Sequence, residues 1–159
     1  MTTPADRPTL WKVIACATLL VGILDISDAF SFYALGGVSP TRILQGIAFG
    51  VLGRPSFGMG NRSALLGLFF HFLIAFSATT VFLLASRKLP LGRHPWLYGS
   101  LFGVALYLVM NYIVLPLSKI GLRPTPPLVP LINGVAALVV CIGIPLAFIA
   151  RRYVAQQNT

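Results

Sequence analysis

The stretch LWKVIACATLLVGILDISDAFSFYAL, Leu10 to Leu35, decides the fold. A helix crossing the ~30 Å hydrocarbon core of a bilayer needs about 20 mostly apolar residues. This run exceeds that length and carries only Lys12 near its start and Asp25 and Asp28 further on. Three later stretches meet the same requirement: Ser63 to Ala85, Trp96 to Ser118 and Pro130 to Ala150. No water inside a bilayer satisfies backbone groups, so each must be helical. The expected fold is all-α, a single membrane domain over residues 1–159 with four transmembrane helices.

Composition agrees along the whole chain of 159 residues. Hydrophobic residues make up 57% and charged residues 9%, against roughly 45–50% and about 25% in soluble globular proteins. Glutamate is absent, and Asp6, Asp25 and Asp28 stand alone against 12 Lys+Arg, for a formal charge of +9. That balance excludes the soluble, disordered, collagenous and disulfide-scaffold classes. The basic residues are spread over short segments with no folded basic domain. The expected partner is therefore the anionic headgroup layer of a lipid bilayer, and nucleic acid is not expected.

Each run ends on punctuation: Gly36-Gly37, Ser86-Arg87-Lys88, Lys119 and Arg151-Arg152. Trp11, Trp96, Tyr98 and Tyr153 fall near the ends, where amphipathic rings favour the headgroup layer. Between the first two runs, Ile43 to Leu52 is apolar but too short to cross. Ser39 as cap and Pro40 at the first helical position start a helix there, and Gly53 followed by Pro55 stops it. A helix over 40–53 is expected to be interfacial or re-entrant, followed by a flexible connector, Ser56 to Gly60. Lys and Arg divide into Arg7, Lys12, Arg87, Lys88, Arg93, Arg151 and Arg152 on one side and Arg42, Arg54, Arg62, Lys119 and Arg123 on the other. The first set sits in the shorter segments, which predicts both termini on the cytoplasmic side. The first run flows into two aspartates without a small-x-small cleavage site, so it is expected to be retained as an anchor. Val13-Ile14-Ala15-Cys16 lacks the preceding apolar run of a lipoprotein signal. Asn61-Arg62-Ser63 is a sequon that abuts a span and is set aside. Cys16 and Cys141 lie in apolar runs and are expected to stay unpaired.

Polar side chains inside membrane spans are costly and therefore informative. Asp25 and Asp28 share one helical face, and His71, Asn111 and Asn133 mark the other three spans. Counting ~1.5 Å per residue from the non-cytoplasmic helix ends places them at ~15, ~10, ~12, ~10 and ~5 Å. All five fall in the outer half of the bundle and form a candidate buried polar layer. Each sits on a stripe of small residues at helical spacing, such as Gly67, His71, Ala75 and Thr79, and such stripes let helices approach closely in lipid. A homo-oligomer through these faces is a further expectation, with Gly99 and Gly103 one possible dimer signal. Pro116 and Pro145 each remove a helical hydrogen bond, freeing the Tyr112 and Cys141 carbonyls.

Two function classes fit. The layer is either interhelical hydrogen bonding in a structural or accessory membrane protein, with Arg42, Arg54 or Arg62 neutralising an aspartate, or it binds or translocates a proton, cation or small solute. The first is the leading expectation. No nucleophile elbow or paired-histidine motif accompanies Asp25 and His71, so catalytic residues are not assigned and an enzyme is not expected. Two aspartates and a histidine are metal-ligand types without a diagnostic spacing, so no metal and no cofactor is assigned.

Several short motifs carry a resemblance. Leu24-Asp25, Arg42-Ile43-Leu44-Gln45 followed by Phe49-Gly50-Val51-Leu52-Gly53, Leu66-Gly67 with His71-Phe72, Met110-Asn111-Tyr112 with Leu115-Pro116-Leu117-Ser118, and the closing Arg151-Arg152 resemble a group of small bacterial inner-membrane proteins with four spans. The likeness covers nearly the whole chain. It implies the bacterial cytoplasmic membrane, and it implies no activity and no site residues.

Overall fold

The computed structural model describes residues 9–157. Asp6 and Arg7, used in the charge count, lie outside them. Five helices make the fold: α1 (Leu10–Ala34), α2 (Pro40–Leu52), α3 (Asn61–Ser86), α4 (Pro95–Leu117) and α5 (Leu128–Ala155). All but α2 are long and apolar enough to cross a membrane. The observed bounds lie within two residues of the expected ones at every end but one; α5 runs further, because its helix continues through Arg151 and Arg152.

The buried core gathers Ile14, Ala17 and Val21 of α1, Phe82 and Leu83 of α3, and Leu146, Ala147 and Ala150 of α5. The beginning of α1 and the ends of α3 and α5 therefore share one end of the bundle, here the terminal end. Large apolar side chains elsewhere point outward: Leu19, Ile23, Phe69, Leu101, Leu108 and Val140 are all exposed. An apolar exterior of this extent is what lipid contact requires and what a soluble monomer avoids. Trp11 and Trp96 are exposed at the terminal end, as expected of headgroup-layer rings. Tyr153 differs: it is buried, because α5 turns it inward against the core.

Three local devices position the rest. First, α3 and α4 meet through the edge-to-face rings of Phe82 and Phe102, 4.8 Å between centroids. Second, α4 lies directly on α5: a Cβ at Gly99 would meet Ile144 Cα at 2.7 Å, one at Gly103 would meet Val139 Cα at 2.5 Å, and one at Gly143 would overlap the Gly99 carbonyl. The Gly99/Gly103 stripe is thus used inside the chain. Third, the prolines are absorbed by wide turns. Met110–Val114 and Leu138–Gly143 are π-helical, and the N–H just before each proline skips one carbonyl: Leu115 donates to Met110 and Ile144 to Val139. Widening the turn makes room for the proline ring, which would strike the carbonyl four residues back in a regular helix.

Helix α2 starts and stops on the expected residues. Ser39 accepts the Arg42 N–H at 3.3 Å, Pro40 opens the helix, and Gly53 ends it at φ +73°. Gly67 of α3 receives it so closely that a Cβ there would overlap the Leu44 carbonyl. The following connector, expected to be flexible, is folded into a hydrogen-bonded turn. Arg54–Gly58 forms a 3-10 turn whose fully buried Ser56 offers its carbonyl to the Ser63 hydroxyl, while Gln45 donates to the Gly60 carbonyl at 3.1 Å. On its other side α2 is tied to the segment after α4 by the Lys119 N–H, which donates to the Gly50 carbonyl at 2.8 Å.

Candidate functional site

Gly22 of α1 permits the central contact. Without a side chain there, Phe72 packs onto the backbone of α1; a Cβ would stand 2.5 Å from its ring. The neighbouring His71 then reaches across, and its Nε2 donates to the Gly22 carbonyl at 2.8 Å. A carbonyl only accepts, so the Nε2 proton is committed. The other nitrogen, Nδ1, faces Asp25 Oδ2 at 4.0 Å, an ion-pair contact longer than a hydrogen bond. One proton between Nδ1 and Oδ2 makes this contact attractive, and none sets a lone pair against a carboxylate. His71 is buried and Asp25 half-buried.

A second pair forms between α1 and α5, where the Asn133 amide donates to Asp28 Oδ2 at 3.0 Å. Asn111 joins neither. Its amide turns back to the Tyr107 carbonyl of its own helix, 3.0 Å away. The expected five-residue layer therefore resolves into two pairs and a single residue, because an asparagine in a helix can satisfy itself four residues back. The expected arginine partners also differ. Among the described residues the aspartates have no arginine within ion-pair distance; Arg42 instead lies over the Phe57 ring, 3.8 Å from its centroid, and Arg54 and Arg62 are exposed. Asp25 and Asp28 find their contacts inside the bundle, about two turns from the end of α1. Neither cysteine is in a disulfide, and the described Asp, His and Cys residues form no group of three suited to a metal.

Asp25 and His71 open onto a cavity of about 890 Å³. It begins one helical turn beyond the Phe82 and Phe102 contact, at Ala78 and Leu106, where α3 and α4 part. Burial grades along it: His71, Ala75, Ala78 and Ile142 are buried, while Tyr33, Arg42, Phe57 and Arg123 are exposed. The deep end is therefore in the bundle and the mouth at the end that carries α2. Most of the wall is apolar, and Met110 and Val114 of the first wide turn belong to it. The sequence named Arg123 only as a loop charge and Met110 only within a motif, and it did not mark Tyr33; none of the three was expected to line a site. The apolar face of α2 was the one available signal, since a short helix tied to a bundle covers something.

The chain matches no protein-family model, no curated protein and no solved structure.

Proposed function

We propose that this is a membrane-embedded binding protein that takes a small apolar or amphipathic molecule into the cavity under α2, with Asp25 and His71 as its polar anchor. The observation that carries this reading is the cavity. Its volume of about 890 Å³ falls inside the ~300–1,000 Å³ usual for ligand sites, and apolar walls with a few convergent polar groups are their usual lining. A purely structural polar layer needs no cavity; the Asp28 and Asn133 pair has that character. Translocation is less supported, because Ile14, Val21, Phe82, Leu83 and Leu146 are packed to 2% exposure or less across the terminal end. The same proposal places the protein in a bacterial cytoplasmic membrane, as the resemblance implies, with both termini cytoplasmic, as the basic loops imply.

The test uses purified protein in nanodiscs and a dansyl-labelled long-chain alcohol, an uncharged probe whose emission reports apolar surroundings. Wild type should bind it saturably. Met110→Trp places a large ring in the cavity and should weaken binding by about tenfold or more, since it removes the apolar burial that drives it. Binding no better than to empty nanodiscs, or binding by the Trp variant equal to wild type, would overturn the reading.

A further inference from the structure

We infer that the occupant of this cavity is a single-chain lipid with an anionic head, held at the mouth where Arg42 and Arg123 stand, its tail running inward past Met110 to Ala78. The inference rests on the binding reading above and names the ligand class.

Charge supplies the first observation. Arg42 and Arg123 both line the mouth. The whole chain holds three carboxylates outside its terminus, Asp6, Asp25 and Asp28; the latter two face His71 and Asn133. No side chain of the protein neutralises the mouth among the described residues. Arg42 moreover has a seat: its guanidinium carbon lies over the Phe57 ring, 3.8 Å from the centroid. Stacking uses the face of a guanidinium and leaves its N–H edge free to fork onto a carboxylate or phosphate. A site with an unpaired cationic edge is complementary to an anion.

Length supplies the second. The wall follows α4 from Leu106 and ends on Ser118, one residue beyond the helix, about 18 Å at ~1.5 Å per residue. Half of the ~30 Å hydrocarbon core is about 15 Å, the reach of one lipid tail. The cavity thus has the depth of one leaflet, with its cations at the headgroup end and its apolar wall at the tail end. Volume selects one chain over two, since a cavity of about 890 Å³ is of drug size, ~300–1,000 Å³, and a two-chain phospholipid is larger. Near the deep end, His71 and Asp25 face each other at 4.0 Å, so the polar groups a passing tail meets are already turned toward one another.

The experiment displaces the bound dansyl alcohol with monooleyl phosphate, with oleyl alcohol and with inorganic phosphate, in nanodiscs of zwitterionic lipid. The two oleyl compounds share a tail and differ in the head. Monooleyl phosphate should compete at a concentration about tenfold lower than the alcohol, as expected of two arginines near a membrane surface. Inorganic phosphate should displace nothing. In Arg42→Gln/Arg123→Gln the ratio between phosphate ester and alcohol should fall to about twofold or less. Equal competition by ester and alcohol in wild type, or a ratio unchanged in the double variant, overturns the anionic head while leaving the binding reading intact. Displacement by inorganic phosphate overturns the lipid as its source. Probe lost on raising the protein-to-nanodisc ratio, with neither oleyl compound competing, assigns the mouth to a second copy of the chain and also overturns it. A probe that never binds sinks the binding reading first.

Discussion

At His71 a single side chain joins α3 to α1 by two different contacts. The Nε2 bond to the Gly22 carbonyl is direct at 2.8 Å, whereas the Nδ1 approach to Asp25 is 4.0 Å. The first should therefore dominate stability and the second the chemistry of the cavity. His71→Gln keeps an N–H able to reach the carbonyl, and His71→Leu does not. The Leu variant should be less stable than the Gln variant by about 1 kcal/mol, within the range for interhelical bonds in lipid. Thermal unfolding in detergent checks this, and equal melting would show that the carbonyl bond contributes nothing. Asp25→Asn should melt close to wild type, since its amide can donate to Nδ1. Of the five polar residues that the sequence marks inside the spans, His71 is buried and Asp25, Asp28, Asn111 and Asn133 are half-buried. Their partners were not legible in the sequence: Asn111 bonding back to Tyr107, and Asp28 taking Asn133, depend on rotations about the helix axes that spacing does not set.

Between elements, glycine decides how closely helices lie. Gly46 and Gly67 look alike in the sequence, each a glycine inside an apolar helix. In the fold they are opposites. A Cβ at Gly46 meets nothing within 4 Å, whereas one at Gly67 overlaps the Leu44 carbonyl. Gly46→Ala should stabilise the protein by about 0.5–1 kcal/mol through helix propensity. Gly67→Ala should destabilise it by about 1–3 kcal/mol, because α2 must lift off α3. Unfolding of the two variants side by side is the measurement, and a destabilised Gly46→Ala would mean that α2 packs otherwise. The ends of α2 were readable because Ser39, Pro40 and Gly53 act locally. The ordered turn at Arg54–Gly58 was not, since it depends on Ser63 reaching the Ser56 carbonyl and on Gln45 holding the Gly60 carbonyl just after it. The wide turns before Pro116 and Pro145 were half legible: a lost bond was readable, its repair by a π turn was not.

Across the whole molecule, α2 governs connectivity. His71 meets Gly22, which stands as far from the end of α1 as His71 stands, within about two residues, from the start of α3. The end of α1 and the start of α3 are therefore level, and α2 returns to the side it left. Cysteines placed at Thr41 and Arg62, both exposed, in a chain with Cys16 and Cys141 replaced by alanine, should react with an impermeant maleimide from the same side of intact vesicles. Reaction from opposite sides would make α2 a crossing and reverse α3 to α5.

The sequence by itself determined the class of fold, the four long helices and the short one, because apolar length against bilayer thickness and local capping chemistry are properties of consecutive residues. It also marked Asp25, Asp28, His71, Asn111 and Asn133 as costly. Only the tertiary structure decided that α3 and α4 touch at Phe82 and Phe102 and part beyond them. From that divergence come the cavity, its apolar wall and the placing of Arg42 and Arg123 at its mouth. Divergence is a property of helix pairs: it follows from which glycines and rings happen to face each other, and residues far apart in the chain settle that together.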